Sequence, residues 1–427
     1  MAPSSRKLTR DGLLAVLHSM DIIFPSTTKL PEEDLNKRLS QALDAAQRYR
    51  DVIGNSLFDE STGTPWPADK DLMEGTQRGT IWEIARNQIY GASQSENKGT
   101  FAEMRQIVMG LAHNYKLGIR NICMTESLGV LEDWGVYVRI LNIFIVQDTP
   151  VFLVAFKEVD GKEAGSMRAE LETLIPEATE SGHKIGSLRT TEYERLSMLK
   201  LLGMNAKRLS VDLHPDEVSV ARMLGLKLSF LLPLAPLSLK DIGRLATNSG
   251  CEVCGKKNVS RCLQCLSVAY CGSECQKADW PNHKATCRSL KGGTWKTITF
   301  DLPDAKKSMF LYNYHETPQD ALKRLDTDPS SVINAAGGPP PDIHNGKTFL
   351  VKFQISLFQF KENAHMLLYD RQRSFLVSWK RINARDLFDE AEDQLGDELK
   401  MYRWARRVGD YQLEVCFDRR PASNPPW

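Results

Sequence analysis

The sequence predicts an α+β protein with several domains, and three observations lead to this prediction. The chain has 427 residues, more than the roughly 100 to 200 residues of one typical domain. Seven of its nine cysteines lie between Cys251 and Cys287. Helical patterns dominate before this cluster, and strand patterns dominate after it. We therefore predict a mainly helical domain at 1–247, a cysteine-rich domain at 248–290 and an α+β domain at 291–427.

Apolar residues recur at helical intervals along much of the N-terminal region. Acidic residues after Pro31 favour a helix start, and Leu35, Leu39 and Leu43 continue that helix. Ser238 and Asp241 form a capping-box pattern before another helix. Further helices are predicted at Ile81-Ile84-Ile89, at Phe101-Met104-Ile107-Leu111, at Leu196-Leu199-Leu202 and after His214-Pro215-Asp216-Glu217.

One segment of the N-terminal region has the pattern of a β-hairpin. β-Branched and aromatic residues crowd Val136 to Val159 on both sides of Gln147-Asp148-Thr149-Pro150. The apolar run from Leu226 to Leu239 contains two prolines, and we predict a helix end followed by a buried loop there. The N-terminal domain is thus predicted to be mainly helical with one β-hairpin.

The C-terminal region has strand patterns around one predicted helix. Apolar spacing from Ala384 to Val408, with acids early and arginines late, predicts that helix. A loop is predicted at Gly337-Gly338-Pro339-Pro340-Pro341. Strands are predicted at Trp295 to Phe300, Phe349 to Ile355, Met366 to Tyr369, Phe375 to Trp379 and Tyr411 to Phe417.

Charge and composition limit the classes of partner that this chain can bind. The 55 basic and 54 acidic residues nearly cancel, so no overall field attracts nucleic acid or an anionic membrane. The aromatic and basic residues from Tyr402 to Arg407 are interpreted as the last turn of the predicted helix rather than as a nucleic-acid site.

The chain has no signal-peptide pattern and no run of about 18 apolar residues. Clustered cysteines in such a chain indicate metal binding in a reducing intracellular compartment, the nucleus or cytoplasm.

The cysteine cluster has the spacing of a two-zinc site. Eight ligands suffice for two tetrahedral zinc ions, and this reading is favoured over unrelated buried or redox cysteines. Four protein ligands close each site, so the zinc is structural and not catalytic. Spacing alone leaves open whether the ligands pair sequentially or in alternation. The predicted ligands are Cys251, Cys254, Cys262, Cys265, Cys271, Cys275, His283 and Cys287.

This segment resembles the MYND finger, on its ligand spacing and on Tyr270, Gln276, Asp279-Trp280 and His283-Lys284. The resemblance covers only residues 251–287. It implies a cross-braced finger, with one zinc on Cys251, Cys254, Cys271 and Cys275 and the other on Cys262, Cys265, His283 and Cys287.

The resemblance also implies a protein partner. In MYND fingers with known ligands, a proline-rich peptide is gripped by residues that correspond here to Gln276 and Trp280; the alternative is that Trp280 caps the finger core. Leu263 departs from the small polar residue of the peptide-binding relative, so ligand preference can differ. Pro339-Pro340-Pro341-Asp342-Ile343 is a candidate internal occupant of the same groove.

We therefore predict a zinc-binding protein-interaction module, working as a scaffold or transcription-regulatory adaptor, and not an enzyme. The flanks, especially Lys400 to Pro421, resemble those of uncharacterised fungal MYND-finger proteins. Two alternatives are a ubiquitin-ligase adaptor and an enzyme hidden in the flanking domains, such as a SET-type methyltransferase. That enzyme family needs an Asn-His motif outside the finger, and the only Asn-His here is Asn282-His283. The usual phosphate-loop and hydrolase motifs do not occur.

Overall fold

The structure is a computed structural model, and its described residues divide into two compact units. The N-terminal unit takes in the described residues of 6–20 and 36–237, and the C-terminal unit those of 21–35 and 238–421. No helix among these residues has both the length and the apolar content needed to cross a lipid bilayer. The residues that the structure describes are 6–24, 28–59, 63–78, 99–126, 134–160, 171, 173–174, 185–210, 223–246, 250–301, 339, 342–355, 364–371, 375–396 and 398–421.

The N-terminal unit contains a mixed six-stranded sheet. Its order is β5-β2-β3-β4-β6, and β1 pairs with the C-terminal part of β3. The β2–β5 pair is parallel, and the other pairs are antiparallel. The strands are β1 Thr64–Pro65, β2 Asn121–Thr125, β3 Trp134–Val146, β4 Thr149–Asp160, β5 Ile185–Arg189 and β6 Lys227–Leu231.

The predicted hairpin is confirmed as β3 and β4. Gln147 and Asp148 form its two-residue turn, with φ angles of 47° and 60°. Positive φ at both positions gives the backbone twist that matches two antiparallel strands. The hairpin lies at the centre of the sheet, so the prediction of a mainly helical region with a single hairpin is corrected to a mixed α/β unit.

The prediction for Leu226 to Leu239 is also wrong in its first half. Residues 227–231 form β6, which pairs with β4 from Phe156↔Lys227 to Phe152↔Leu231. A short apolar run has the same appearance in a buried strand and in a buried helix end. Pairing with β4, about 70 residues earlier in the chain, decides between the two.

The predicted helices that fall on described residues before the cysteine cluster are confirmed. Thr191 and Glu194 make a reciprocal capping box at the start of α6, and the Ser238 hydroxyl accepts a 3.1 Å hydrogen bond from the Asp241 N–H. The predictions at Ile81-Ile84-Ile89 and after His214-Pro215-Asp216-Glu217 lie outside the described residues. The helices are α1 Arg10–Ser19, α2 Glu32–Ala46, α3 Tyr49–Val52, α4 Leu72–Thr76, α5 Thr100–Lys116, α6 Glu192–Ala206 and α7 Leu239–Ala246.

The C-terminal unit contains a six-stranded antiparallel sheet that follows the finger. Its order is β12-β11-β10-β13-β14-β9, and all five predicted strands of this region are confirmed. The strands are β9 Trp295–Thr299, β10 Phe349–Ile355, β11 His365–Asp370, β12 Leu376–Lys380, β13 Lys400–Gly409 and β14 Gln412–Cys416. Of the predicted loop at 337–341, only Pro339 is among the described residues.

The long helix predicted from Ala384 to Val408 is wrong beyond residue 395. A 3₁₀ turn, Arg381–Asn383, leads into helix α9 (Arg385–Leu395), and Gly396 ends it at a φ of 57°. Residues 400–409 then form β13, where Met401 and Ala405 enter the sheet core with Phe388 of α9. Leu399 and Tyr402 continue the helical spacing only by coincidence, because Leu399 is 44% exposed. Pairing with β10 and β14 outweighs the local pattern.

The finger consists of one short hairpin and one helix. A short hairpin, β7 (Ser260–Arg261) and β8 (Ala269–Tyr270), precedes helix α8 (Ser273–Ser289). Pro281 lies inside α8, where it lacks the N–H that would bond to the preceding turn. A hairpin of two-residue strands and one helix that contains a proline do not stabilise one another without further support.

Candidate metal centre

The structure brings the eight predicted ligands together as two clusters of four. Within each cluster all ligand atoms lie within 4.8 Å of one another. The arrangement is cross-braced, as the resemblance implies, and the sequential alternative is excluded. The clusters are site 1, made of Cys251, Cys254, Cys271 and Cys275, and site 2, made of Cys262, Cys265, His283 and Cys287.

Two tight turns and one helix position the ligands. In the first turn the Gly255 N–H donates to the Cys251 carbonyl at 2.8 Å, and in the second the Leu266 N–H donates to the Cys262 carbonyl at 2.9 Å. Gly255 and Leu266 both have positive φ, 75° and 57°, which curls the backbone around the sulfur atoms. Cys271 directly follows β8, and helix α8 supplies Cys275, His283 and Cys287. His283 and Cys287 stand four positions apart and therefore lie on one face of α8.

The distances fit zinc. Tetrahedral zinc with bonds of about 2.3 Å to sulfur separates two sulfur ligands by about 3.8 Å. The Sγ atom of Cys254 lies 3.5 Å from the Sγ atom of Cys271 and 3.9 Å from the Sγ atom of Cys275. In site 2, Cys262 Sγ lies 3.8 Å from Cys287 Sγ, and Cys265 Sγ lies 3.5 Å from His283 Nε2. Two structural zinc ions are the cofactors of this finger.

The electrostatics of the sites also fit a cation. Burial lowers the pKa of His283, so its imidazole is neutral and can coordinate metal. The hydrogen bond with Cys271 raises the pKa of Cys275 to about 12, and burial raises the pKa of Cys287 to about 12. Burial also opposes ionisation of Cys251. Hydrogen bonds from backbone N–H groups, of which the Cys254 N–H contributes most, nevertheless lower the pKa of Cys251 to about 6. Thiols this crowded ionise together only when a cation compensates their charge.

An aromatic and carboxylate cluster supports His283. The Tyr270 hydroxyl donates to Asp279 Oδ2 at 2.7 Å, and Asn282 donates to Asp279 Oδ1 at 3.3 Å. Burial and this carboxylate raise the pKa of Tyr270, so it remains a donor. The rings of Tyr270 and Trp280 both stand edge-on to the His283 ring, at 6.0 and 5.9 Å. The imidazole orientation is thus held from two directions.

The two sites differ in burial. Three of the four ligands of site 1 are half-buried, whereas all four of site 2 are buried. Cys262, Cys265 and Cys287 belong to one hydrophobic cluster with Trp404 of β13 and Cys416 of β14. Sequence reasoning missed these two residues, because nothing local in a strand shows what will cover its face.

The predicted peptide-binding residues lie on the outer face of α8. Gln276 and Trp280 are both exposed and stand four positions apart, so they share one side of the helix. Leu263, at the tip of the second zinc turn, is 95% exposed. The finger therefore presents two large apolar side chains to solvent next to its metal sites.

A family model and several known proteins match parts of this chain. The family model described as the MYND finger matches residues 251–287. Rho GTPase-activating protein gacZ of Dictyostelium discoideum is 55% identical over 40 residues, 9% of this chain and 4% of that protein. Histone-lysine N-methyltransferase SMYD3 of Homo sapiens is 46% identical over 43 residues, 10% of each chain.

One longer match is weaker. Tudor domain-containing protein 1 of Mus musculus is 23% identical over 137 residues, 32% of this chain and 11% of that protein. The chain thus spans 4% to 11% of the length of these three relatives. No solved structure matches it. The ligand geometry and the family match agree that residues 251–287 are a MYND-type zinc finger.

Proposed function

We propose that this chain is a protein-interaction module whose finger binds proline-rich peptides through Gln276 and Trp280, and that it works as a scaffold or transcription-regulatory adaptor. The observation that carries the proposal is the position of Trp280. It is 38% exposed, yet it lies on a helix that three zinc ligands, Cys275, His283 and Cys287, hold in place. A large aromatic side chain at such a position is characteristic of a binding surface.

The surroundings of Trp280 suit a stiff peptide. The Trp280 ring stands edge-on to the His283 ring at 5.9 Å, so the metal site restricts its orientation. Gln276, one turn earlier, adds an amide that can donate to a backbone carbonyl and accept from an N–H. A proline-rich segment is already extended and therefore loses little entropy on binding. The predicted grip thus combines a preorganised ring with a preorganised ligand.

Replacement of Trp280 by Ala should strongly weaken peptide binding while leaving two zinc ions per chain. We expect the affinity for a proline-rich peptide to fall by about 2 kcal/mol, roughly 30-fold. Gln276→Ala should weaken binding less. Fluorescence anisotropy with a panel of labelled proline-rich peptides, including one spanning residues 339–343, measures the affinity, and metal analysis measures the zinc.

The matched control is Glu274→Ala, because Glu274 is exposed on the same helix but lies about 160° around it from Gln276 and about 120° from Trp280. It should leave the affinity within about a factor of two. Loss of zinc in Trp280→Ala would assign the ring to the finger core, and Trp280→Phe, which keeps an aromatic ring, would then be tested for binding. A variant that keeps zinc and binds the peptides normally would contradict the proposal.

The arginines of β13 support a protein rather than a nucleic acid as partner. Arg403 is buried and donates to the Tyr402 carbonyl and to Gln394. Arg406 pairs with Glu414 and stacks on Trp295. Side chains already committed within the chain are poor phosphate ligands. Arg403 and Arg406 of β13 are therefore not available as ligands for a nucleic-acid backbone.

Methyltransferase activity is the enzyme alternative, since SMYD3 is a relative at the finger. Both residues of Asn282-His283 serve the finger here, because His283 belongs to site 2 and Asn282 bonds to Asp279. We predict no S-adenosylmethionine binding for this reason. Calorimetric titration of the cofactor into the full chain should give no saturable heat, with human SMYD3 as the positive control. Saturable binding would favour the enzyme alternative.

A further inference from the structure

Site 2 packs against a row of side chains that crosses four strands of the C-terminal sheet. Leu350 of β10 pairs in register with Trp404 of β13, Trp404 with Cys416 of β14, and Cys416 with Trp295 of β9. These strands are neighbours in the sheet, and directly paired residues share a face. The four side chains, called the cross-strand row below, belong to one hydrophobic cluster with three ligands of site 2.

The cross-strand row and the site are buried against each other. Trp404 is 7% exposed and Cys416 is 0% exposed. The alternate residues of the same strands, Ala405 and Val415, lie in the core that packs on α9. One face of the sheet is thus covered by a helix, and this part of the other face is covered by the zinc finger.

The backbone adds further connections between site 2 and the sheet. The Thr348 N–H, next to β10, donates to the Leu266 carbonyl in the second zinc turn at 3.1 Å, and Arg261 of β7 donates to the Asn345 carbonyl. After α8 the chain passes so close to β14 that a Cβ on Gly293 would lie 2.5 Å from Cys416 Sγ. These contacts place the metal-dependent turn and the start of β10 in one rigid arrangement.

We propose that zinc at site 2 stabilises the C-terminal sheet, so that the sheet opens more readily when this ion is lost. The ion at site 1 stabilises mainly the finger. A metal that binds only the folded arrangement stabilises everything packed in that arrangement. Loss of zinc from site 2 removes the order of Cys262, Cys265, His283 and Cys287. The cross-strand row then loses its cover, and β13 and β14 open more often.

Site 1 provides the contrast on which the proposal depends. None of its four ligands belongs to the hydrophobic cluster that contains the row. Cys254, Cys271 and Cys275 are half-buried, and they join the first turn to the start of α8. Zinc at site 1 therefore stabilises the amino-terminal half of the finger without covering the sheet.

Two matched variants of the full chain separate the sites. Cys262→Ser and Cys254→Ser each remove one thiolate, and each should leave about one zinc per chain. Hydrogen exchange followed by mass spectrometry then reports the opening of individual strands. We expect peptides from β13 and β14 to exchange at least roughly tenfold faster in Cys262→Ser and within about twofold of wild type in Cys254→Ser. Helix α5 should be unchanged in both variants.

Either of two results would overturn the proposal. One is wild-type exchange of β13 and β14 in Cys262→Ser although a zinc ion has been lost. The other is equal acceleration in both variants. If Cys262→Ser is recovered only as aggregate, a chelator is added to Cys254→Ser, which keeps zinc at site 2 alone. Peptides from β13 and β14 should then lose protection as that ion leaves, and retained protection after its loss would also overturn the proposal.

A variant of the sheet tests the coupling in the opposite direction. Coupling free energies are reciprocal, so Trp404→Ala should release one of its two zinc ions to a coloured chelator roughly tenfold faster than wild type, with the other unchanged. Val408→Ala is the control, because Val408 is in the same strand but 46% exposed. Release of both ions at wild-type rates from folded Trp404→Ala would contradict the coupling.

Discussion

Metal analysis of the purified chain should find two zinc ions per molecule, and removal of both should unfold residues 251–287. The two four-ligand clusters account for the stoichiometry, since no ligand is shared or left over. The size of the effect follows from the finger's small elements. Its two strands have two residues each, and its helix contains Pro281. Structural zinc in finger peptides contributes about 10 to 16 kcal/mol at neutral pH, far more than these elements can supply.

The measurement combines metal content with hydrogen exchange before and after a chelator. Peptides from α8 should lose protection when zinc is removed and regain it when zinc is returned, whereas helix α5 in the N-terminal unit should not respond. One zinc ion or none in freshly purified protein would contradict the two-site assignment. Persistent protection of α8 without metal would show that packing, not zinc, holds the finger.

Trp379→Ala should cause the largest loss of stability in the C-terminal core. Trp379 is 0% exposed and packs against Phe353, Phe388 and Phe417, at ring-centre distances of 6.0, 5.1 and 6.0 Å. Replacing a buried tryptophan by alanine lowers the free energy of unfolding by about 3 to 5 kcal/mol, because apolar contacts are lost and a cavity remains. Urea denaturation, monitored by near-ultraviolet circular dichroism, measures the change in the free energy of unfolding.

A second substitution at the same position separates the cavity from the polar group. The Trp379 Nε1–H has no hydrogen-bond acceptor among the described residues, and such a buried donor is itself unfavourable. Trp379→Phe removes that donor and keeps an aromatic ring. The loss in the free energy of unfolding should therefore be less than about half of the loss in Trp379→Ala. Ile382→Ala, at an 81% exposed position, is the control and should be nearly neutral. Equal losses at positions 379 and 382 would contradict the assigned core.

Local patterns predicted most of the strands and helices, and they failed where tertiary pairing decides. The capping pattern at Ser238 and the turn at Gln147-Asp148 depend on neighbouring residues, so the sequence shows them directly. The predictions at residues 227–231 and 400–409 are wrong because pairing with β4 and with β10, which are distant in the chain, gives these segments their strand character. In β13 the spacing of Leu395, Leu399 and Tyr402 imitates a helix, and only pairing with β10 and β14 excludes it.

The zinc chemistry of this protein was determined by the sequence itself, because eight ligands within residues 251–287 specify both the metal and its number. The resemblance to MYND fingers implied the cross-braced pairing, and the geometry of the ligand atoms confirms it. Only the tertiary structure decided that site 2 is buried against the C-terminal sheet. The reason is physical: coordination uses residues a few positions apart, whereas Leu350, Trp404, Cys416 and Trp295 form one row only after four separate strands have paired in register.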